Sequence, residues 1–311
     1  MSSNPSRSGA RRLCVTLCLV SAAAISHAES KLIPDPPIEC EPCATWNEPQ
    51  KPFRVFGNTY YVGTAGLSSI LIAASDGLIL IDGALSQSAP LINANIRTLG
   101  FRTEDIKLIL TSHAHFDHVS GVAALQRVSG AKVAASPNSA QALREGRNTP
   151  DDPQFASKEN SFPRVSNVTV IKDGEKLTVG DVEITAHFTP GHTPGSTTWT
   201  WRSCEKQRCL NVVYADSLTA VSADGFLFTK ASGNQTTVDM FRNSIRTVET
   251  LPCDILLVPH PSFVGFEDKL RRLLAGDSDA FVDPGACREY ASASAARLDK
   301  RVAQEREPQQ N

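Results

Sequence analysis

The sequence is short of aromatic residues, which make up 6% of its 311 positions, and it nowhere gathers lysines and arginines into a run. With a formal net charge of -2 there is no basic surplus to follow a phosphate backbone, which argues against a nucleic-acid partner. No repeat of fixed period appears, and no heptad or long apolar helix demands an oligomer, so a monomer is expected. A membrane anchor needs roughly 20 continuous apolar residues; the longest such run, LCVTLCLVSAAAI, is shorter. What remains, 41% hydrophobic and 21% charged, is the composition of a folded chain with a sizeable core.

That apolar run follows MSSNPSRSGARR, with three arginines and no acid, and precedes Ser26-His27-Ala28. Basic start, apolar middle and small-x-small end make residues 1–28 an expected signal peptide. Its removal takes three arginines from the 31 basic residues, leaving 28 against 33 acidic ones and a mature charge of about -5. Cys14 and Cys18 leave with it. Six cysteines remain, and in an exported chain an even number reads as disulfides. Cys204 and Cys209 flank EKQR between the strand-like runs TTWTW and NVVYA, so a bridge across that hairpin is expected. Cys253 and Cys287 would tie the C-terminal tail to the start of a strand. Cys40 and Cys43, in CEPC, are left open between a local bridge, a metal and an intermolecular role.

Residues 29–52 hold six prolines and read as an irregular arm, and 53–311 as a single domain. RVFGNTYYVG, SSILIAA, DGLILID, IKLILTS and KVAAS are strand-like, with helices expected at Pro90–Leu99, VAALQRV and SAQALREG. Arg147–Arg164 reads as a long loop. Strands resume at VTVI, KLTV, VEITAHF, TTWTWRS, NVVYA and DILLVPH, with helices at Val238–Leu251 and from Arg288 onward. Two strand-rich halves, each with helices, suggest an α/β fold of two stacked sheets with helices outside, four layers in all.

The histidines concentrate at strand ends. HAHFDH carries His113, His115, Asp117 and His118 within six positions, directly after the strand candidate IKLIL. His192 lies in PGHTPG, where Gly191 and Gly195 permit tight turns, and His260 follows DILLVP. Imidazoles and a carboxylate suit zinc, and short spacing supplies several ligands at little entropic cost. Six such residues exceed what one tetrahedral ion needs, so two ions are expected; two cations acidify a water between them and polarise a carbonyl, and hydrolysis follows. His187, inside VEITAHF, reads as an ordinary strand residue.

HAHFDH, PGHTPG and VPHP resemble the metallo-β-lactamase superfamily from about Phe53 to Cys287, and ADSLT at 215–219, the late histidine and the Cys253/Cys287 pair resemble its subclass B3. The resemblance implies an αββα sandwich with two Zn2+ in its cleft. One would be held by His113, His115 and His192, the other by Asp117, His118 and His260. It further implies a periplasmic enzyme that opens the amide bond of penicillins, cephalosporins and carbapenems with a zinc-held hydroxide, with Asp117 also as the catalytic residue. Ser217 and Thr219 would bind substrate, Thr219 standing where such enzymes often carry serine. Phe155 and Phe162 of the 147–164 loop, and Trp46 of the arm, are candidate pocket walls. Within the superfamily, glyoxalase II-like thioesterases and lactonases are the rival, because ADSL resembles their GDTL, whose aspartate bridges both metals; Asp216 would then be a ligand. A secreted zinc-binding module without chemistry is the remaining alternative.

Overall fold

The computed structural model describes residues 1–2, 31–232 and 235–307. Leader residues 3–28, with Cys14, Cys18 and Ser26-His27-Ala28, and the terminal QQN lie outside the described residues. Lys31–Asn311 forms one compact unit.

After a one-turn helix α1 (Cys43–Trp46), the first sheet takes seven strands in sequence order: β1 (Phe53–Phe56), β2 (Thr59–Tyr61), β3 (Ile70–Ala74), β4 (Gly77–Ile81), β5 (Ile106–Leu110), β6 (Lys132–Ala135) and β7 (Val168–Val170). The first four run antiparallel, and β4 to β7 pair in parallel. Parallel pairing requires crossovers, supplied by helices α2 (Ala89–Thr98), α3 (Phe116–Val119), α4 (Val122–Ser129) and α5 (Pro137–Glu145). Left-handed Gly130 and Gly146 end α4 and α5, as helix C-termini favour.

The second sheet has the order β14-β11-β10-β9-β8, built from β8 (Lys176–Val179), β9 (Val182–Phe188), β10 (Thr197–Glu205), β11 (Arg208–Tyr214) and β14 (Ile255–Leu257). Between β11 and β14 lie a small ribbon, β12 (Ala231–Ser232) and β13 (Gln235–Thr236), and helix α6 (Thr237–Thr250). Thr236 and Asp239 cap α6 reciprocally, each side chain meeting the other's backbone N–H, so two amides at the helix start are satisfied. Helices α7 (Phe266–Leu274) and α8 (Ala286–Arg306) follow.

Three apolar layers separate these elements. Ile70, Ile72, Ile79 and Ile81 of the first sheet meet Ile184, Trp199, Trp201 and Tyr214 of the second in a core between the sheets. The alternate residues Leu71, Leu80 and Ile109 face away, toward Ile92, Ile96 and Leu125 on α2 and α4. On the far side Val213 and Leu256 pack against Phe241 and Ile245 of α6 and Tyr290 and Leu298 of α8. This is the αββα order expected. Burial on both faces explains why ILIAA, GLILI and IKLIL are almost wholly apolar rather than alternating.

Cys204 and Cys209 are bonded at directly paired positions of the β10–β11 hairpin, and Cys253 to Cys287 at the start of α8. Cys40 bonds Cys43 across the entry to α1, which settles the open pairing as local. Among the described residues no helix is long and apolar enough to cross a membrane.

Candidate metal centre

Parallel pairs bring the C-terminal ends of their strands to one edge. The chain leaves β4 at Asp82, β5 at Thr111 to His113, β11 at Ala215 to Ser217 and β14 at Val258 to His260. Asp82 fastens three of these ends: its carboxylate accepts from the Ser112 N–H and the Ser112 hydroxyl, both at 2.7 Å, and from Tyr214 Oη at 2.7 Å. Burial pushes the Asp82 carboxyl up to about 6, against the pull of His118 and of those three donors.

His113 and His115 follow β5, His115 on extended backbone, and α3 begins at Phe116, so Asp117 and His118 turn back on its first turn. The PGHTPG loop between β9 and β10 brings His192 in from the second sheet. Gly191 has φ +153, outside the usual range of other residues, and a Cβ on it would lie 2.5 Å from the Phe241 ring. Gly195 has no such φ and serves differently: a Cβ there would come 2.3 Å from Ser139 Oγ, so its smallness lets the loop lie against α5.

One nitrogen of each of these three rings is engaged behind the site. His113 Nδ1 is 2.7 Å from Asp216 Oδ1, His192 Nδ1 is 2.8 Å from the Thr219 carbonyl oxygen, and His115 Nε2 is 3.2 and 3.1 Å from the two Asp152 oxygens. The opposite nitrogens, Nε2 of His113 and His192 and Nδ1 of His115, are left for the centre. Ring centroids of His113 stand 4.6 Å from His115 and 4.7 Å from His192, and the three donor atoms fall within 4.8 Å of one another.

A second group adjoins the first. His113, Asp117 and His118 also present donors within 4.8 Å of one another. Asp117 Oδ2 lies 3.2 Å from His118 Nε2 and 3.1 Å from His260 Nε2, so His260 joins through that carboxylate. The His260 ring in turn lies 5.0 Å from that of Trp46. Thus all six ligand candidates come together.

Electrostatics favour ligand-ready forms of His113, His192 and Asp117. Burial, with His118 and His115 as neighbours, holds His113 well below the usual imidazole range. Burial, with His113 and His115, brings His192 down to about 3. Both rings are therefore neutral at pH 7, with lone pairs available. Burial opposes ionisation of Asp117, but His118 and His260 beside it prevail and hold it far below the carboxylate range. Burial works against a proton on His118, and Asp117 overrides it to raise that pKa. Among the described residues, His113 Nε2 and His118 Nδ1 are buried without a hydrogen-bond partner. Buried polar atoms seldom stay unpaired, and imidazoles converging with a carboxylate match the donor set of a divalent transition metal.

Residues 63–204 match the metallo-beta-lactamase superfamily model. Among solved structures, the Rm3 metallo-beta-lactamase is 52% identical, with a TM-score of 0.84 over 87% of this chain and 100% of that one. MEM-A1, a subclass B3 metallo-beta-lactamase from a soil metagenome library, is 45% identical, with a TM-score of 0.81 over 84% and 98% of the two chains. The chain belongs to the subclass B3 metallo-β-lactamases. A probable metallo-hydrolase of Burkholderia pseudomallei (strain 1710b) is 28% identical over 148 residues, 44% of this chain, and the chain spans 48% of that relative's length.

The remaining residues singled out in the sequence take these places. Asp216 does not join either donor group; it stands behind His113, on the nitrogen turned from the centre, with its backbone held through Tyr290 Oη, which donates to the Asp216 carbonyl and accepts from the Leu218 N–H. Ser217 is buried at the end of β11. Thr219 lies beside His192, its carbonyl at 2.8 Å and its hydroxyl at 3.2 Å from Nδ1. Phe162 does not wall a pocket but belongs to the core outside the first sheet. His187 hydrogen-bonds Thr200 Oγ1 within the second sheet at 2.9 Å, an ordinary strand position. Sequence reasoning missed Asp82 and Asp152. DGLILID offered a weak signal for Asp82, an acid closing a wholly buried strand; nothing local marked Asp152.

Proposed function

We propose that this B3 family member hydrolyses the amide bond of β-lactam antibiotics, penicillins, cephalosporins and carbapenems, with two Zn2+ ions per chain. The observation that carries this reading is the pair of adjoining donor groups, one of three converging imidazoles and one around Asp117, at a shared edge of the two sheets. His113, His115 and His192 would hold one ion, and Asp117, His118 and His260 the other. When bound, such ions act as Lewis acids toward the lactam carbonyl and make water nucleophilic at neutral pH.

The side chains do the rest. Asp117, held ionised by its histidine neighbours, orients the attacking water through a carboxylate oxygen and accepts its proton. Oxygen bonds to the carbonyl carbon, the carbon–nitrogen bond breaks, and the proton passes from Asp117 to the departing nitrogen. Ser217 and Thr219 lie at the end of β11, where their hydroxyls would meet the substrate carboxylate. We assign residues 1–28 as a leader removed on export, with arm 29–52 and domain 53–311 acting in the periplasm as a monomer; the three disulfides suit that oxidising compartment.

The test is hydrolysis of a carbapenem and a penicillin by the mature protein, with EDTA and after zinc is restored. Turnover that vanishes with chelator and returns with zinc supports the assignment; a folded, zinc-loaded sample that leaves both intact overturns it. The thioesterase or lactonase reading is not favoured, since Asp216 faces the rear of His113 rather than the donor groups. Absence of glutathione-thioester hydrolysis in the same samples is the matching expectation.

A further inference from the structure

The loop from Arg147 to Arg164 is more than a flank to the cleft. It is stitched internally by an Arg147–Ser161 bridge and by Asn148 N–H donating to the Asn160 carbonyl at 3.0 Å. Asn138 of α5 donates to Thr149 Oγ1 at 2.9 Å and to Asp151 Oδ1 at 3.2 Å. Pro153 accepts from the Ala223 N–H at 2.9 Å, joining this loop to the one after β11. Between these fastenings one side chain turns inward. Asp152 is 4% exposed, and both its oxygens lie against His115 Nε2. Its Oδ1 also accepts from the Gln154 N–H at 2.7 Å, which fixes the carboxylate to the turn that carries it.

An imidazole offers a metal one nitrogen, and which one is set by the bond the other makes. For His113 and His192 that bond comes from the strand end and loop after β11, through Asp216 and Thr219. For His115 it comes, among the described residues, from the 147–164 loop. We propose that Asp152 is a positioning residue that keeps the proton of His115 on Nε2 and its Nδ1 toward the metal, and that the order of the 147–164 loop and metal uptake are thereby linked. The inference rests on the metal-site reading given above. A metal bound at Nδ1 draws charge from the ring and strengthens the N–H to carboxylate bond; by reciprocity, a loop that already holds the ring raises metal affinity. The loop beside the cleft is then in place when the site is loaded.

The experiment uses the metal-depleted whole protein, titrated with zinc against a chromophoric chelator, in wild type, Asp152→Ala, Asp152→Asn and Asn138→Ala. The last loosens the loop without touching the carboxylate. Asp152→Ala should weaken one zinc-binding event by about 10- to 100-fold and leave the other nearly unchanged, with Asp152→Asn, which keeps one acceptor oxygen, in between. Asn138→Ala, which loosens the loop but keeps the carboxylate on His115, should weaken the same event by clearly less than Asp152→Ala does. Ring-nitrogen NMR should show His115 protonated at Nε2 in wild type and mixed between its nitrogens in Asp152→Ala. Zinc should slow amide exchange across 148–160 in wild type but not in Asp152→Ala. Equal zinc affinity in wild type and Asp152→Ala overturns the inference alone. So does an Asn138→Ala protein as weakened as Asp152→Ala, because loop packing rather than the carboxylate would then be responsible. A wild-type protein that takes up no zinc overturns the metal-site reading and this inference with it.

Discussion

The two donor groups share an edge of the fold but are held in different ways. In the first, each of His113, His115 and His192 has its rear nitrogen fixed by Asp216, Asp152 or the Thr219 carbonyl. In the second, His118 and His260 are drawn to one oxygen of Asp117, and His118 Nδ1 is buried without a hydrogen-bond partner among the described residues. The first group is oriented by the protein around it, the second by its own carboxylate. Preorganised ligands lose little freedom on binding, whereas a group that is its own counterion must exchange that contact for the metal. The first group should therefore fill first, and the second should depend more on metal concentration.

Asp117→Asn tests that contrast most severely. With the charge gone, His118 and His260 lose what gathers them, and turnover should fall by about 10³-fold, while metal analysis shows one zinc retained; loss of both ions would break the distinction. Asp216→Asn attacks the other side: chelator competition should show the tighter zinc weakened by about 10- to 100-fold, with turnover recovered at high zinc.

A smaller effect lies behind both groups, at Asp82. Its folded pKa of about 6 stands above the ordinary value of 3.8, so the folded state holds this proton more tightly. Stability is lost as pH rises through that window and regained as it falls. Denaturant unfolding of the metal-free protein should show wild type gaining about 1 kcal/mol relative to Asp82→Asn between pH 7 and pH 5; an unchanged difference would mean that Asp82 titrates normally. Smallest of all is His187→Gln, outside both groups. It should leave zinc stoichiometry intact and cost about 1 kcal/mol for its bond to Thr200, read as a small drop in melting temperature.

Much of this was legible in the sequence for physical reasons. ILIAA, GLILI and IKLIL announce strands because both their faces are buried, and HAHFDH announces candidate ligands because four suitable side chains fit within one strand end and one helical turn. The supporting carboxylates were not legible. Asp152 is 37 positions from His115 and Asp216 is 103 from His113, pairings made by the fold alone. Helix α7 also went unread. FEDKLRRLL is charged along most of its length, only Phe266 is fully buried, and no side chain caps its start, so neither periodicity nor capping singled it out. Gly195 carried a correct signal with a different cause, space for α5 rather than backbone freedom.

Tyr290 makes the last helix part of the support for the centre. It reaches from α8, at the end of the fold, to clasp both sides of Ser217 through the Asp216 carbonyl and the Leu218 N–H, and Cys287 on the same helix is bonded to the segment leading into β14. The end of β11 that carries Asp216 and backs His113 is thus buttressed from the last helix of the described fold by one hydroxyl and one disulfide, so a change in α8 should be felt at the centre without touching it.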